Sequence, residues 1–413
     1  MTAANIVTMA PRRSLLLVCW ASACAPAAVA SNRNAEPAQI GGLLAPSDTH
    51  GHYHRMAPSY ERAGTIGFRC VSDAVQPMTA PTRAKHDDDL GGFLGGARDL
   101  VYDSKRELVM VAAIGGVFSV INVSAAQPAL VSTIAPSSVQ DAHGMDYDAV
   151  NQRAFLASVS QWSVTCIDVS DPHNLRVIST IFNSTALFYS THLSYDGARS
   201  ALFVVSAGNG DETQGRPGHS ITTLSVADDG TMAFLYRMTS WSPDTGGIPG
   251  KHLAYPVYSL LDPERRLLYV SNDARCTVEI IDVSTLSPRK VGNFTDCDKI
   301  EYNSQTAFDP ATKRLFTVAQ HANSFAVLDV ANPGRPLLTS LLQDSNRTAC
   351  RDGTCTKDQI FAGATGVAFD AVRNLAFVAS EYAQTLAVVD LSGSRGVPLK
   401  TVGALLLLFF RYF

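Results

Sequence analysis

Histidine and carboxylate side chains move protons near neutral pH, and three of them stand at similar places before a recurring aspartate. His192 lies four residues before Asp196 and Asp99 four before Asp103, whereas His143 lies five before Asp148. Such a set could activate water for hydrolysis, with His143 or His192 as general base and Asp99 as a charged partner. The registers weigh against it. Successive strand residues point to opposite faces, so without a bulge the two histidines project to opposite sides of their strands. No G-x-S-x-G elbow, H-E-x-x-H helix or Walker loop is present. The residues name no cofactor and indicate no metal. Asp87-Asp88-Asp89 is a carboxylate run of the kind Ca²⁺ prefers, but no loop of alternating oxygen ligands follows. It reads as a solvated spacer.

The cysteines and asparagines suggest an oxidising route. Residues 1–30 read as a secretory signal: Arg12 and Arg13, an apolar stretch opening at Leu15, then Ala28-Val29-Ala30 before a mature start at Ser31. Cleavage there removes Cys19 and Cys24 and leaves an even number of cysteines. Sequons stand at Asn122, Asn183, Asn293 and Asn346. Two disulfides are expected. Cys276 and Cys297 fall opposite each other in a hairpin centred near Thr285-Leu286-Ser287, and Cys350 and Cys355 flank the turn-forming Arg351-Asp352-Gly353-Thr354. Cys70 and Cys166 are left over, Cys166 in a strand and buried.

These residues must be positioned by repeated elements. Aspartate recurs after an aromatic residue or Leu as Tyr102-Asp103, Tyr147-Asp148, Tyr195-Asp196, Leu261-Asp262, Phe308-Asp309 and Phe369-Asp370. Seven residues beyond each Asp comes Met110, Phe155, Phe203, Tyr269, Phe316 or Phe377. Asp168, Asp282, Asp329 and Asp390 each follow the first Asp by 20 residues, with Asn122 at 19. The third copy breaks step at Leu224-Ser225-Val226 because of an insertion at Ala207 to His219. Between these markers run short β-branched and aromatic segments with polar turns, which is strand grammar. Each unit provides four strands: A before the first Asp, B after it, C before the second Asp, and D beyond. Six such units predict an all-β propeller of six four-stranded blades over residues 97–413, its last D strand being Val402 to Phe410, with a seventh blade left open.

Segments such as Leu267-Leu268-Tyr269-Val270-Ser271 and Ala326-Val327-Leu328-Asp329-Val330 resemble the YVTN and LVIVD families of propeller repeats. That resemblance implies the fold and little about function. Ahead of the propeller, Gly67-Phe68-Arg69-Cys70 resembles the C-terminal tail of the formylglycine-generating (sulfatase-modifying factor) enzyme family. The likeness covers residues 31–73 at most. It implies no activity, because that family's metal-binding and redox-active cysteine region belongs upstream, where there is no room for it. Residues 74–96, with Pro77, Pro81 and several glycines, are linker.

Antiparallel topology sends B–C loops and D–A connections to one face. The Ala207 to His219 insertion and the long stretches Ser240 to Pro256 and Asp344 to Gly363 therefore enlarge the same face, which is a usual place for binding. A ligand is expected on Arg98, Asp211, Trp241, His252, Tyr258 and Gln305, with Thr365 also near the channel mouth. A net charge of −4 without a basic cluster excludes nucleic acid as a partner. The apolar tail at Leu405 to Phe410 is too short for a transmembrane anchor. The sequence favours a secreted, non-catalytic propeller that binds a protein or glycan through its loop-rich face. The alternative is a propeller hydrolase of lactonase or esterase type at the channel mouth, to which two histidines there point by similarity with propeller lactonases.

Overall fold

The structure, a computed structural model, describes residues 96–125, 127–208, 219–239, 253–344, 359–383 and 385–392, together with the backbone of strands Ser14–Leu16, Arg69–Val71 and Lys400–Leu406. Ser14–Leu16 and Arg69–Val71 pair with each other antiparallel. Apart from Ser14–Leu16, the expected signal lies outside the described residues, as do the rest of residues 31–95, Asp211, Trp241, His252, Asn346, Cys350 and Cys355.

Six antiparallel four-stranded sheets follow one another along the chain. Blade 1 is Ala97–Asp103, Leu108–Ala113, Phe118–Asn122 and Ala129–Ile134, and blade 2 is Ala142–Asp148, Arg153–Ser158, Ser163–Asp168 and Arg176–Phe182. Blade 3 is Ser190–Asp196, Ala201–Ser206, Ser220–Val226 and Met232–Thr239, and blade 4 is Pro256–Asp262, Leu267–Asn272, Thr277–Asp282 and Arg289–Thr295. Blade 5 is Asn303–Asp309, Arg314–Ala319, Ser324–Asp329 and Leu337–Gln343, and blade 6 is Ala364–Asp370, Leu375–Ser380, Thr385–Asp390 and Lys400–Leu406. In each case the four strands are A to D in order. The sixth D strand thus begins earlier than expected. The A strands of successive blades pack side by side from first to sixth.

Each repeated aspartate ends its A strand and organises the turn behind it. Asp103 accepts the Lys105 and Arg106 N–H groups at 2.9 and 3.2 Å, and Asp309 those of Ala311 and Thr312 at 3.0 and 3.4 Å. The second aspartate caps the C–D turn, as Asp282 does by accepting the Ser284 N–H at 2.8 Å. Both apolar faces of a middle strand are buried, because blades stack face to face. Met110 and Leu156 share a cluster between blades 1 and 2, Phe203 and Val270 one between blades 3 and 4, and Phe316 and Val378 one between blades 5 and 6.

The structure contains the Cys276–Cys297 disulfide, with Cα atoms 4.9 Å apart. Its register differs from the expected one. Thr277 opposes Thr295 and Val278 opposes Phe294, so the ladder extended by one residue sets Cys276 against Asp296. The Asp296 N–H indeed donates to the Cys276 carbonyl at 3.2 Å. The cysteines flank the hairpin rather than ending its strands: Cys276 follows the 3₁₀ turn Asp273–Arg275, and Cys297 opens the short helix Cys297–Ile300. Cys166 is buried and unpaired, as expected. Among the described residues no helix is long and apolar enough to cross a membrane.

Candidate functional site at the channel mouth

All six A strands begin with the same irregularity. The A–B register shifts between Ala97 and Asp99, Ala142 and Gly144, Ser190 and His192, Pro256 and Tyr258, Asn303 and Thr306, and Ala364 and Gly366. A bulge adds an unpaired residue and re-aims its neighbours. His143 is itself the extra residue, equivalent to Arg98 and Thr365, whereas His192 is the first paired residue after the bulge, equivalent to Asp99 and Tyr258. The two histidines therefore hold different positions and make different partners.

His192 belongs to a network through the channel. Its Nε2 lies 3.1 Å from Asp99 Oδ2 and its Nδ1 3.2 Å from Ser259 Oγ, while its ring packs 4.1 Å from that of Tyr258. Asp99 also accepts the Leu100 and Met145 N–H groups, each at 2.8 Å. Gln305 donates to Tyr258 Oη at 3.5 Å and accepts the Val367 N–H at 2.9 Å. These contacts run through all six blades. Asp146 adds a second tie by accepting the Tyr147 and Tyr195 N–H groups, both at 2.7 Å. Burial pushes its carboxyl up to about 6, against those two bonds and His192. With both ring nitrogens engaged and only 6% of its surface exposed, His192 is built to hold the channel together.

His143 is placed otherwise. Its Nε2 lies 3.1 Å from Asp141 Oδ1, and both side chains keep some exposure, 15% and 31%. Burial pushes the Asp141 carboxyl up, but the His143 hydrogen bond and the charges of His143 and Arg98 prevail and hold it below its ordinary value. Burial, and then Arg98, hold the His143 imidazole below its ordinary value against the pull of Asp141. Near neutrality this is a neutral ring beside an ionised carboxylate. With Nε2–H donated to Asp141, Nδ1 carries the basic lone pair. Arg98 also acts across the ring on Glu381 of blade 6, whose carboxyl burial raises to about 7 against Arg98 and the 3.3 Å Gln320 hydrogen bond.

Sequence reasoning missed Asp141, Glu381 and a run of aromatic residues on the same face. Gly96, Asp141, Tyr189, Tyr255, Tyr302 and Gly363 each immediately precede an A strand and have φ between 55° and 71°. The fold imposes this conformation because each of their carbonyls accepts the N–H of the residue just after strand B, as Tyr255 does from Asp273 at 3.1 Å and Tyr302 from Gln320 at 2.9 Å. Three successive blades use tyrosine there. Rings continue outward from them: Trp162 lies 5.1 Å from Phe188, Phe188 5.0 Å from Tyr189, and Tyr302 stacks on His321 at 3.8 Å. Their places just ahead of the A strands carry no sequence signal of their own; only their alignment at one rim exposes the pattern.

No protein-family model matches the chain, and no curated protein resembles it in sequence. Solved structures share its fold. The periplasmic gluconolactonase of Pseudomonas aeruginosa is 12% identical with a TM-score of 0.62, covering 84% of this chain and 93% of that one. A provisional 6-phosphogluconolactonase from Bacteroides uniformis is 11% identical with a TM-score of 0.59, covering 75% and 84%. Saccharomyces cerevisiae Sqt1 is 10% identical with a TM-score of 0.52, covering 76% and 75%. At such identities the likeness shows the propeller and leaves function to the site.

Proposed function

We propose that this propeller is a hydrolase for a lactone or similar ester, working at the mouth of its channel with His143 as proton acceptor. The observation that carries the reading is the His143–Asp141 pair beside Arg98. Asp141 fixes the imidazole tautomer, so that Nδ1 takes a proton from water as its oxygen adds to the ester carbonyl. Arg98 faces the negative charge that develops on the carbonyl oxygen. Glu381, partly protonated near neutrality, returns a proton to the alkoxide as the carbon–oxygen bond breaks, leaving a hydroxy acid. Similarity in fold to a gluconolactonase is consistent with this chemistry. A panel of lactones and aryl esters tests it: His143→Ala should lower kcat by more than about tenfold. Full activity in that variant overturns the assignment.

A second reading is favoured by the aromatic run along the rim. In it the protein is secreted, glycosylated and non-catalytic, and grips a protein or glycan through the loop-rich face, where Tyr and Trp are usual anchors. Inactivity across the ester panel, with ligand binding lost when Asp211, Trp241 and His252 are replaced together, supports it. Binding that survives this replacement and fails only in A–B or C–D turn variants assigns the ligand to the opposite face. Non-reducing peptide mapping of secreted protein checks cleavage before Ser31, the sequons and the Cys350–Cys355 bridge.

A further inference from the structure

In blades 2, 4 and 5 one backbone bond fastens the B–C turn to the end of the blade. The residue just before strand C (Trp162, Cys276 or Asn323) has a φ of 52°, 50° or 48°, and its carbonyl accepts the N–H of the residue just past strand D at 3.1, 3.2 or 3.1 Å. That residue past strand D is Asn183, Asp296 or Asp344, and its side-chain oxygen takes N–H groups of the chain that follows. Asn183 Oδ1 accepts those of Thr185 and Ala186 at 2.9 and 2.8 Å, Asp296 Oδ1 that of Asp298 at 3.1 Å, and Asp344 Oδ2 that of Phe361 at 3.0 Å. The fold therefore asks this position for an oxygen, which aspartate supplies in two blades. Blade 2 supplies an asparagine, whose Nδ2 makes no hydrogen bond among the described residues. At Asn293, by contrast, Nδ2 donates to Thr295 Oγ1 at 3.0 Å.

Asn183 also lines a groove. Gln161 and Trp162 of the B–C turn, with Phe182, Asn183 and Ser184 at the D–A connection, enclose about 450 Å³ on the loop-rich face. Small-molecule sites usually measure about 300–1,000 Å³. Both rings keep open surface: Trp162 packs on Phe188 at 5.1 Å yet is 36% exposed, and Phe182 is 58% exposed. Gln161, whose Nε2 donates to Gln140 Oε1 at 3.2 Å, and Ser184 add polar groups to the lining. Rings accompanied by amide and hydroxyl groups match a pyranose, which has an apolar C–H face and a hydroxylated rim. Asn183-Ser184-Thr185 is itself a sequon. The sugar that fits this groove therefore has its point of attachment in the lining.

We infer that Asn183 carries an N-linked glycan whose first N-acetylglucosamine lies over Trp162 and Phe182. The inference rests on secretion, taken from the second reading above, and is independent of ester hydrolysis. In the bond-forming step Asn183 Nδ2 displaces a lipid-linked diphosphate from the anomeric carbon of the sugar. The N–C bond forms, the C–O bond breaks with its electron pair passing to the diphosphate, and Nδ2 gives up one proton. Protein secreted from a glycosylating eukaryotic host and mapped by mass spectrometry should show Asn183 occupied. Two enzymes then separate the sugar from the turn. An endoglycosidase that leaves the first N-acetylglucosamine in place should not move the thermal midpoint. An amidase that removes this sugar too converts Asn183 to aspartate, which serves the same turn in blades 4 and 5. It should lower the midpoint by about 2 °C or more as the rings are uncovered. With Trp162→Ala and Phe182→Ala combined, the two treatments should give equal midpoints. Should that variant fail to fold, acrylamide quenching in a Trp241→Phe background decides, since Trp162 is then the sole tryptophan after Ser31. Only the amidase should open that ring to the quencher. Asn183 found bare while other sequons carry sugar overturns the inference and leaves secretion standing. Midpoint and quenching both unmoved by the amidase place the glycan away from the rings and overturn it as well. Residues 1–30 retained with every sequon bare overturns secretion, and the inference with it.

Discussion

Gly144 is what allows His192 to reach Asp99. A Cβ at residue 144 would lie 2.5 Å from the His192 Cα and 2.6 Å from the Thr191 carbonyl oxygen, both backbone atoms that cannot turn aside. Gly144→Ala should therefore destabilise the protein by about 1–3 kcal/mol, the range for overpacking. A denaturant midpoint equal to that of the wild type would mean that the start of strand A in blade 3 shifts freely. Glu381 bears on the proposed chemistry through its titration. If its protonated form is the acid, activity is present below its value of about 7 and falls as pH rises through it. Glu381→Gln should flatten that limb; an unchanged profile removes Glu381 from the mechanism. The residue types at this site were partly legible in the sequence, since Arg98, His143 and Asp99 were singled out from their places before the repeated aspartates. Their pairing was not. It depends on bulges, which arise where the twisted strand leaves the ladder and have no composition of their own.

Among elements, the repeat was legible because the fold asks the same task of each copy: an aspartate must close the A–B turn. The lateral ties are harder to read, since their acceptors are backbone carbonyls. Arg106 donates to Val169 O at 2.6 Å, Arg265 to Val330 O at 2.7 Å, Arg153 to Ala227 O at 3.2 Å, and Arg314 to Leu391 O at 3.4 Å; Arg199 bonds Val283 O in the same way. At each of these five junctions an arginine near an A–B turn grips the chain just past strand C of the next blade. Arg106 and Arg265 also hold their own aspartates at 2.7 Å. Arg265→Ala should cost about 1.5–3 kcal/mol, as charged hydrogen bonds do. Arg265→Lys should recover only part of it, because an ammonium cannot span carboxylate and carbonyl as a planar fork does. Equal stability of all three proteins would show the tie to be incidental. The Cys276–Cys297 pairing was found in the sequence by a hairpin register one residue away from the real one, which the tolerance of disulfide geometry forgave.

At the scale of the whole molecule, buried carboxylates shape stability. Burial raises Asp146 and Asp344 to about 6, and Glu279 and Glu381 to about 7. The folded protein keeps these protons after the unfolded chain has released its own near pH 4, so stability should decline from about pH 4 to pH 7 and then level off. Asp103, Asp168, Asp282 and Asp309, held below their ordinary value against burial by hydrogen bonds, contribute stability that is lost only on acidification below about pH 4. Thermal midpoints that rise or stay level between pH 5 and 7.5 would contradict the predicted decline. The composition of each blade carries a different consequence. Each of the six blades is made of one continuous stretch of chain, with no strand lent by a distant part of it. Synthesis proceeds at about 5–20 residues per second, so residues 142–182 take a few seconds to make, whereas a β-hairpin closes in about 1–10 μs. A nascent blade can therefore be paired before the next has left the ribosome. The slow event in the life of a new molecule is the sideways docking of finished blades, and until it happens each one presents two apolar faces to whatever else is nearby.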